Sequence, residues 1–139
     1  MPKPALALAL MLLTLSPSLA AEDSALADIE SVVQKYLDGT RYGDKALVEE
    51  AFLPSLEVQW LGEGDVLQRR PGPDYIERIA EGVEVPRYGR IVSIDATEKS
   101  AMVKAEIKWN DRLYTDYMLL LKVEGEWRIA NKIATWTED

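Results

Sequence analysis

The stretch VKAEIKWNDRLYTDYMLLLKVEGEWRIANKI, residues 103–133, decides the architecture. Two turn signals divide it into three strands: Asn110-Asp111, and then Glu124-Gly125, an acidic-Gly pair suited to a tight hairpin. With a two-residue turn at Asn110-Asp111, Trp109 lies opposite Arg112, Ile107 opposite Tyr114, Ala105 opposite Asp116 and Val103 opposite Met118. Side chains alternate between the faces of a strand, so the inward members of these pairs share one face. Carrying the count through Glu124-Gly125 sets Leu120 against Ile129, Met118 against Asn131 and Asp116 against Ile133. One face is then apolar from Val103 to Ile133, with Asp116 and Asn131 embedded in it, and it must look toward the helices. The other face carries Lys104, Glu106, Lys108, Arg128 and Lys132, interrupted by Tyr117, Leu119, Leu121 and Trp136. An apolar stripe on a solvated face points to two such sheets packing back to back in a homodimer.

Outward from this sheet, Leu26, Ile29, Val33 and Tyr36 recur at helical spacing behind an Asp23 or Ser24 cap, and Asp38-Gly39 reads as the helix stop. A second short helix runs from Asp44 through Leu47, Val48, Ala51 and Phe52 until Pro54 closes it. Leu56 to Leu61 reads as a strand, and Arg69 to Pro73 as a turn-rich loop. Pro73-Asp74 opens a third helix carrying Tyr75, Ile76 and Ile79. Beyond Arg87 the chain is all sheet, with a further turn at Thr97 to Ser100. No repeat or low-complexity linker divides it. The expected organisation is one α+β domain over residues 21–139, helices backing a curved antiparallel sheet.

Residues 1–20 read as a cleaved signal peptide. Lys3 supplies the positive end, Ala5 to Leu15 are an unbroken apolar run too short to span a bilayer permanently, and Ser18 and Ala20 are the small residues a signal peptidase selects. Cleavage is expected after Ala20, and no cysteine follows that could take a lipid, so no membrane anchor is expected and the product is periplasmic or secreted. Its loss takes the basic count from 16 to 15 against 24 acidic residues, a formal charge of −9. Such a field repels phosphate backbones, so nucleic acid is not an expected partner. Arg69-Arg70 and Arg87 with Arg90 are the only hints of a basic patch, and read as solvated loop positions.

The chain has neither histidine nor cysteine. That removes the commonest general base, the serine-triad partner, cysteine nucleophiles and the usual ligands of zinc, iron–sulfur clusters and c-type haem. Its glycines lack the spacing of a P-loop or a dinucleotide turn, so no cofactor is expected. The acidic cluster Glu49, Glu50, Glu57, Glu63 and Asp65 lacks the alternate-oxygen spacing of a calcium loop, so no metal is expected. Any catalysis must run on Asp, Glu, Tyr, Lys or an activated water.

The order of helices, strand and long antiparallel sheet ending in Glu126-Trp127-Arg128-Ile129-Ala130-Asn131-Lys132 resembles the nuclear transport factor 2-like superfamily. Within it, the helix running into Gly43-Asp44-Lys45-Ala46-Leu47, the Ala51-Phe52-Leu53-Pro54 element and the Asp116 to Lys122 strand are similar to the branch described as putative lumazine-binding, near the polyketide-cyclase-like SnoaL proteins. The resemblance covers essentially all of residues 21–139. It implies a cone-shaped sheet wrapped around the N-terminal helices, with an apolar pocket at the wide end. Relatives in this branch often carry histidine where Leu53 stands. Ketosteroid isomerases of the superfamily use a first-helix tyrosine, a carboxylate base on the first strand and a protonated Asp on a later one. Tyr36 and Asp116 match two of these, whereas the base position holds Gln59 or Trp60.

Placed in that cone, Asp116 and Asn131 are its polar groups, beside Trp60, Trp109, Tyr114 and Met118, with Tyr36 reaching in from the first helix. The leading expectation is an exported, non-catalytic domain that binds a small apolar or aromatic molecule. A dehydratase, isomerase or cyclase using Asp116 and Tyr36 is the second reading, and a dimeric interaction domain the third.

Overall fold

A computed structural model describes residues 1–2 and 17–138, so the apolar run Ala5 to Leu15 lies outside the described residues. Helix α1, Pro17–Tyr42, buries Ile29, Val33, Tyr36, Leu37 and Thr40 along one stripe. It is longer than its caps suggest. At its start Ala20, Ala21, Glu22 and Ala25, strong helix formers, carry the helix back past the expected cap at Asp23. The expected cleavage point after Ala20 thus falls in exposed early turns of α1. At its other end Gly39 is not the stop. A Cβ there would stand 2.6 Å from Val48 Cγ2 and 2.8 Å from the Asp44 carbonyl. Its glycine lets helix α2, Lys45–Ala51, cross close against α1. The stop is Gly43, at φ 71°, a left-handed conformation natural to glycine. Asp44 then caps α2, accepting the Leu47 backbone N–H at 3.1 Å.

Six strands follow: β1 (Glu57–Leu61), β2 (Leu67–Pro71), β3 (Arg87–Ala96), β4 (Ser100–Trp109), β5 (Arg112–Val123) and β6 (Glu126–Glu138), with helix α3 (Gly72–Glu77) after β2. They form one open sheet in the order β2-β1-β6-β5-β4-β3. The sheet is mixed rather than wholly antiparallel, because β1 runs parallel to β6. Strand β2 occupies part of the expected turn-rich loop. Arg69, Arg70 and Pro71 pair with Gln59, Val58 and Glu57 at the sheet edge, where a proline costs no ladder bond.

The first hairpin has the register its sequence implies, with Trp109 opposite Arg112, Ile107 opposite Tyr114, Ala105 opposite Asp116 and Val103 opposite Met118. The second begins as expected, with Leu120 opposite Ile129, and then departs. Leu119 pairs with Asn131, Ala130 is left as an unpaired extra residue, and Met118 faces Lys132 instead of Asn131. Every side chain beyond that point changes face. Ile133, expected inside, is 50% exposed, and Lys132, expected in solvent, is 3% exposed. Trp136 likewise turns inward, opposite Tyr114. A second bulge lies in β3 between Ile91 and Ser93. Bulges bend a strand and increase its twist, which curls the sheet around α1. The core fills that curve: Ile29, Val33 and Tyr36 pack with Val103, Ile107, Met118, Leu120 and Ile129.

Candidate functional site

The concave side of the sheet is not filled completely. A cavity of about 280 Å³ remains, walled by Val58 and Trp60 of β1, Arg70 of β2, Tyr75 of α3, Arg87 of β3, Trp109 of β4, Tyr114 and Asp116 of β5, and Lys132, Ala134 and Trp136 of β6. Its walls are mainly aromatic, while its deepest polar groups form one buried network. Tyr36 donates its hydroxyl hydrogen to Asp116 Oδ2 at 2.7 Å, and the Lys132 ammonium reaches the same oxygen at 2.9 Å. Arg87 Nη2 donates to the Tyr36 oxygen at 2.8 Å, and its Nη1 donates to Thr40 Oγ1. Thr40 Oγ1 lies 2.9 Å from the Tyr36 carbonyl oxygen, tying the guanidinium back to α1. The Lys132 ammonium also stands 5.4 Å from the Tyr36 ring centre and 5.8 Å from that of Tyr75, where ring faces attract a cation.

Burial pushes the Tyr36 hydroxyl well above its ordinary value of 10.0; Arg87 opposes this, while Asp116 and Tyr75 add to it. Tyr36 is therefore a neutral phenol that donates to a carboxylate. Burial works against the Arg87 cation, but Tyr36, Tyr75 and Asp116 outweigh it and raise its value, so it stays charged. Asp116 and Lys132, with side chains 2% and 4% exposed, are a buried ion pair. Such a pair contributes little net stability but is costly to break on one side only.

The structure brings the expected residues Tyr36 and Asp116 into direct contact and places Trp60, Trp109 and Tyr114 on the cavity wall. Met118 lies beneath, fully buried in the hydrophobic core and off the cavity wall. Asn131 is on the convex side near Met102 and Leu119, where its Oδ1 accepts the Lys132 backbone N–H at 2.8 Å. Both expectations fail for packing reasons: Met118 is covered by core side chains, and the Ala130 bulge turns Asn131 outward.

Sequence reasoning missed Lys132 and Arg87, and the same device hides both. Without its bulge each strand would point the cation at solvent; with it, each cation points into the concave side. Arg70 was read as a solvated loop residue, yet it lies on the edge strand β2, half-buried on the cavity wall. Its neighbour Arg69 points the other way, 4.0 Å from Glu57. No signal in the sequence separates the two arginines; only pairing with β1 sets which one faces inward. Among the described residues, no group of three or more Asp and Glu side chains is arranged to hold a metal. Among those residues, too, no helix is long and apolar enough to cross a membrane.

Known proteins share features of this sequence and fold. The sequence matches the family described as Putative lumazine-binding over residues 24–135. It is 29% identical over 102 residues to aldolase FrzH of Cladobotryum sp, covering 70% of this chain and 80% of that protein. An NTF-2 like protein of unknown function from Silicibacter pomeroyi DSS-3 superposes with a TM-score of 0.75 at 23% identity, covering 84% of this chain and 98% of that one. An NTF2-like protein of unknown function from Shewanella baltica OS155 gives 0.74 at 23% identity, covering 84% and 97%. At those identities the two structures speak to fold alone. The family match spans both helices that carry the core and the strands that supply Asp116 and Lys132, so the chain belongs to the Putative lumazine-binding family, and its fold is that of the nuclear transport factor 2-like structures.

Proposed function

We propose that the chain is an exported domain that holds a small, largely aromatic molecule in the concave cavity without transforming it. The observation that carries this reading is the state of Asp116. The Oδ2 oxygen of this carboxylate already accepts both Tyr36 and Lys132, so one of its two oxygens is committed to holding α1, β5 and β6 together. Tyr36, held neutral by burial, is a poor proton donor near neutral pH. Around this closed network, aromatic walls offer contact area for a flat ligand. Family membership supports small-molecule binding, and the sequence of residues 1–20 supports export.

A second reading, catalysis, is favoured by two observations: Asp116 and Lys132 line the cavity, and a relative at 29% identity is named an aldolase. The convex face supports a further element of the proposal, a homodimer. Met102, Tyr117, Leu119, Leu121 and Ile133 lie there on three adjacent strands, each 40% exposed or more.

The deciding experiment is native and then denaturing mass spectrometry of the protein isolated gently from the exported fraction of its own host. The expected result is a chain beginning at Ala21 that releases a small molecule, with the molecule absent from a Trp109→Ala variant. A ligand-free chain that retains residues 1–20 would overturn the proposal. Conversion of the released compound by fresh protein would replace binding with catalysis.

A further inference from the structure

The protein carries a formal charge of −8, and four of its arginines are matched to carboxylates, Arg41 to Glu84, Arg69 to Glu57, Arg90 to Glu106 and Arg128 to Glu126, while Arg112 stacks on the Trp136 ring at 3.7 Å. The arginines of the concave side differ. Among the described residues Arg70 touches only the Trp60 ring, its guanidinium 4.8 Å from the ring centre. Arg87 is held by Thr40 and Tyr36, both neutral. Neither has a carboxylate partner, in a chain with 24 acidic residues to choose from.

These two arginines sit where two cavities meet. Beside the aromatic cavity lies a second, of about 300 Å³, whose lining includes Thr40, Arg78, Ile79 and Val85. Arg70, Tyr75, Arg87 and Trp109 line both. The aromatic slot therefore runs up to a cationic wall, and Arg78 adds a third positive charge on the far side. The charge of Lys132 is already answered by Asp116, which leaves the arginines as the unmatched charges of the cavity.

We propose that the ligand is an anion, a flat aromatic carboxylate with its ring among Trp60, Trp109, Tyr114 and Trp136 and its carboxylate against Arg70 and Arg87. The inference rests on the small-molecule-binding reading above and adds the ligand's chemical class. A guanidinium has five N–H donors in a fixed fork, and Arg87 spends two of them on Thr40 and Tyr36. Those two bonds fix the plane of the fork before any ligand arrives, and the remaining donors suit the paired oxygens of a carboxylate. Asp116 acts on Arg87 across the Tyr36 hydroxyl and already answers Lys132, so the positive charges of the cavity outnumber its one carboxylate, and an anionic ligand offsets the cost of burying them.

The test uses the full chain after leader removal and two probes of equal shape, 2-naphthoate and its neutral counterpart 2-naphthamide, followed by tryptophan fluorescence and calorimetry. The expected result is binding of both, with naphthoate tighter by about tenfold or more, the worth of one charge-assisted hydrogen bond. Arg87→Gln and Arg70→Gln should each bring naphthoate toward the affinity of naphthamide while leaving naphthamide unchanged. Arg70 touches only one ring, so its variant keeps the test decisive if Arg87→Gln disturbs folding. Equal affinity for the two probes, or a preference that survives both substitutions, would overturn the anion assignment and leave small-molecule binding standing. Failure of both probes to bind the folded wild-type chain, judged by circular dichroism, would overturn the binding reading and this inference together.

Discussion

Asp116 Oδ2 joins three elements: α1 through Tyr36, β5 through its own backbone, and β6 through Lys132. Replacing it by asparagine leaves the Lys132 ammonium buried with no counter-charge, so Asp116→Asn should cost about 3–5 kcal/mol in urea denaturation. The paired change Asp116→Leu with Lys132→Met should cost far less, because it removes both charges at once. Tyr36 predicts a pH response of known sign. Its folded value lies above 10.0, so the native state holds the proton more tightly than the unfolded chain. That contribution is fully present below pH 10 and is lost as pH rises from there through the folded value. Denaturation midpoints measured between pH 8 and 11 should fall steeply at the upper end, and Tyr36→Phe should flatten the fall. That Tyr36 and Asp116 face one interior was legible in the sequence, from helical spacing, a two-residue turn and the family resemblance; their hydrogen bond is the structure's addition. The inward turn of Lys132 was not legible, because alternation assigned it to solvent.

Elements show why legibility stops there. Turns announce themselves: Asn110 at φ 57° and Gly125 at φ 85° adopt the left-handed conformation their residue types favour, and the tight hairpin carries Glu124 into it at φ 51°. A bulge at Ala130 or beside Val92 has no such residue; both positions look like any strand interior, and the cause is the curvature needed to wrap α1. Edge strand β2 escaped notice for a related reason, since Arg69, Arg70 and Pro71 are poor strand formers that pairing with β1 nevertheless recruits. Gly39 was misread as punctuation when it is a point of close approach. Gly39→Ala should therefore destabilise by about 1–3 kcal/mol, although alanine is the better helix former, because Val48 and the Asp44 carbonyl leave no room. Thermal unfolding of that variant, compared with a Ser31→Ala control on the exposed side of α1, separates packing from propensity.

At the scale of the molecule the curved sheet has two unlike sides, a concave one holding unmatched cations and a convex one showing Tyr117, Leu119, Leu121 and Ile133. For the proposed homodimer, light scattering at micromolar concentration should report twice the chain mass. Leu119→Glu, at a position 54% exposed, should halve it without loss of secondary structure. A wild-type monomer would remove the dimer and leave the convex face unexplained. The sheet order carries one more consequence. Strand β6 is the last element along the chain, yet it lies third in the sheet and alone joins β1 and β2 to the other three strands. A ribosome releases residues 57–71 long before residues 126–138, so the β1–β2 hairpin waits without a lateral strand until β6 has emerged. Such a nascent chain stays loose by its topology, and the proposed export would draw on that looseness.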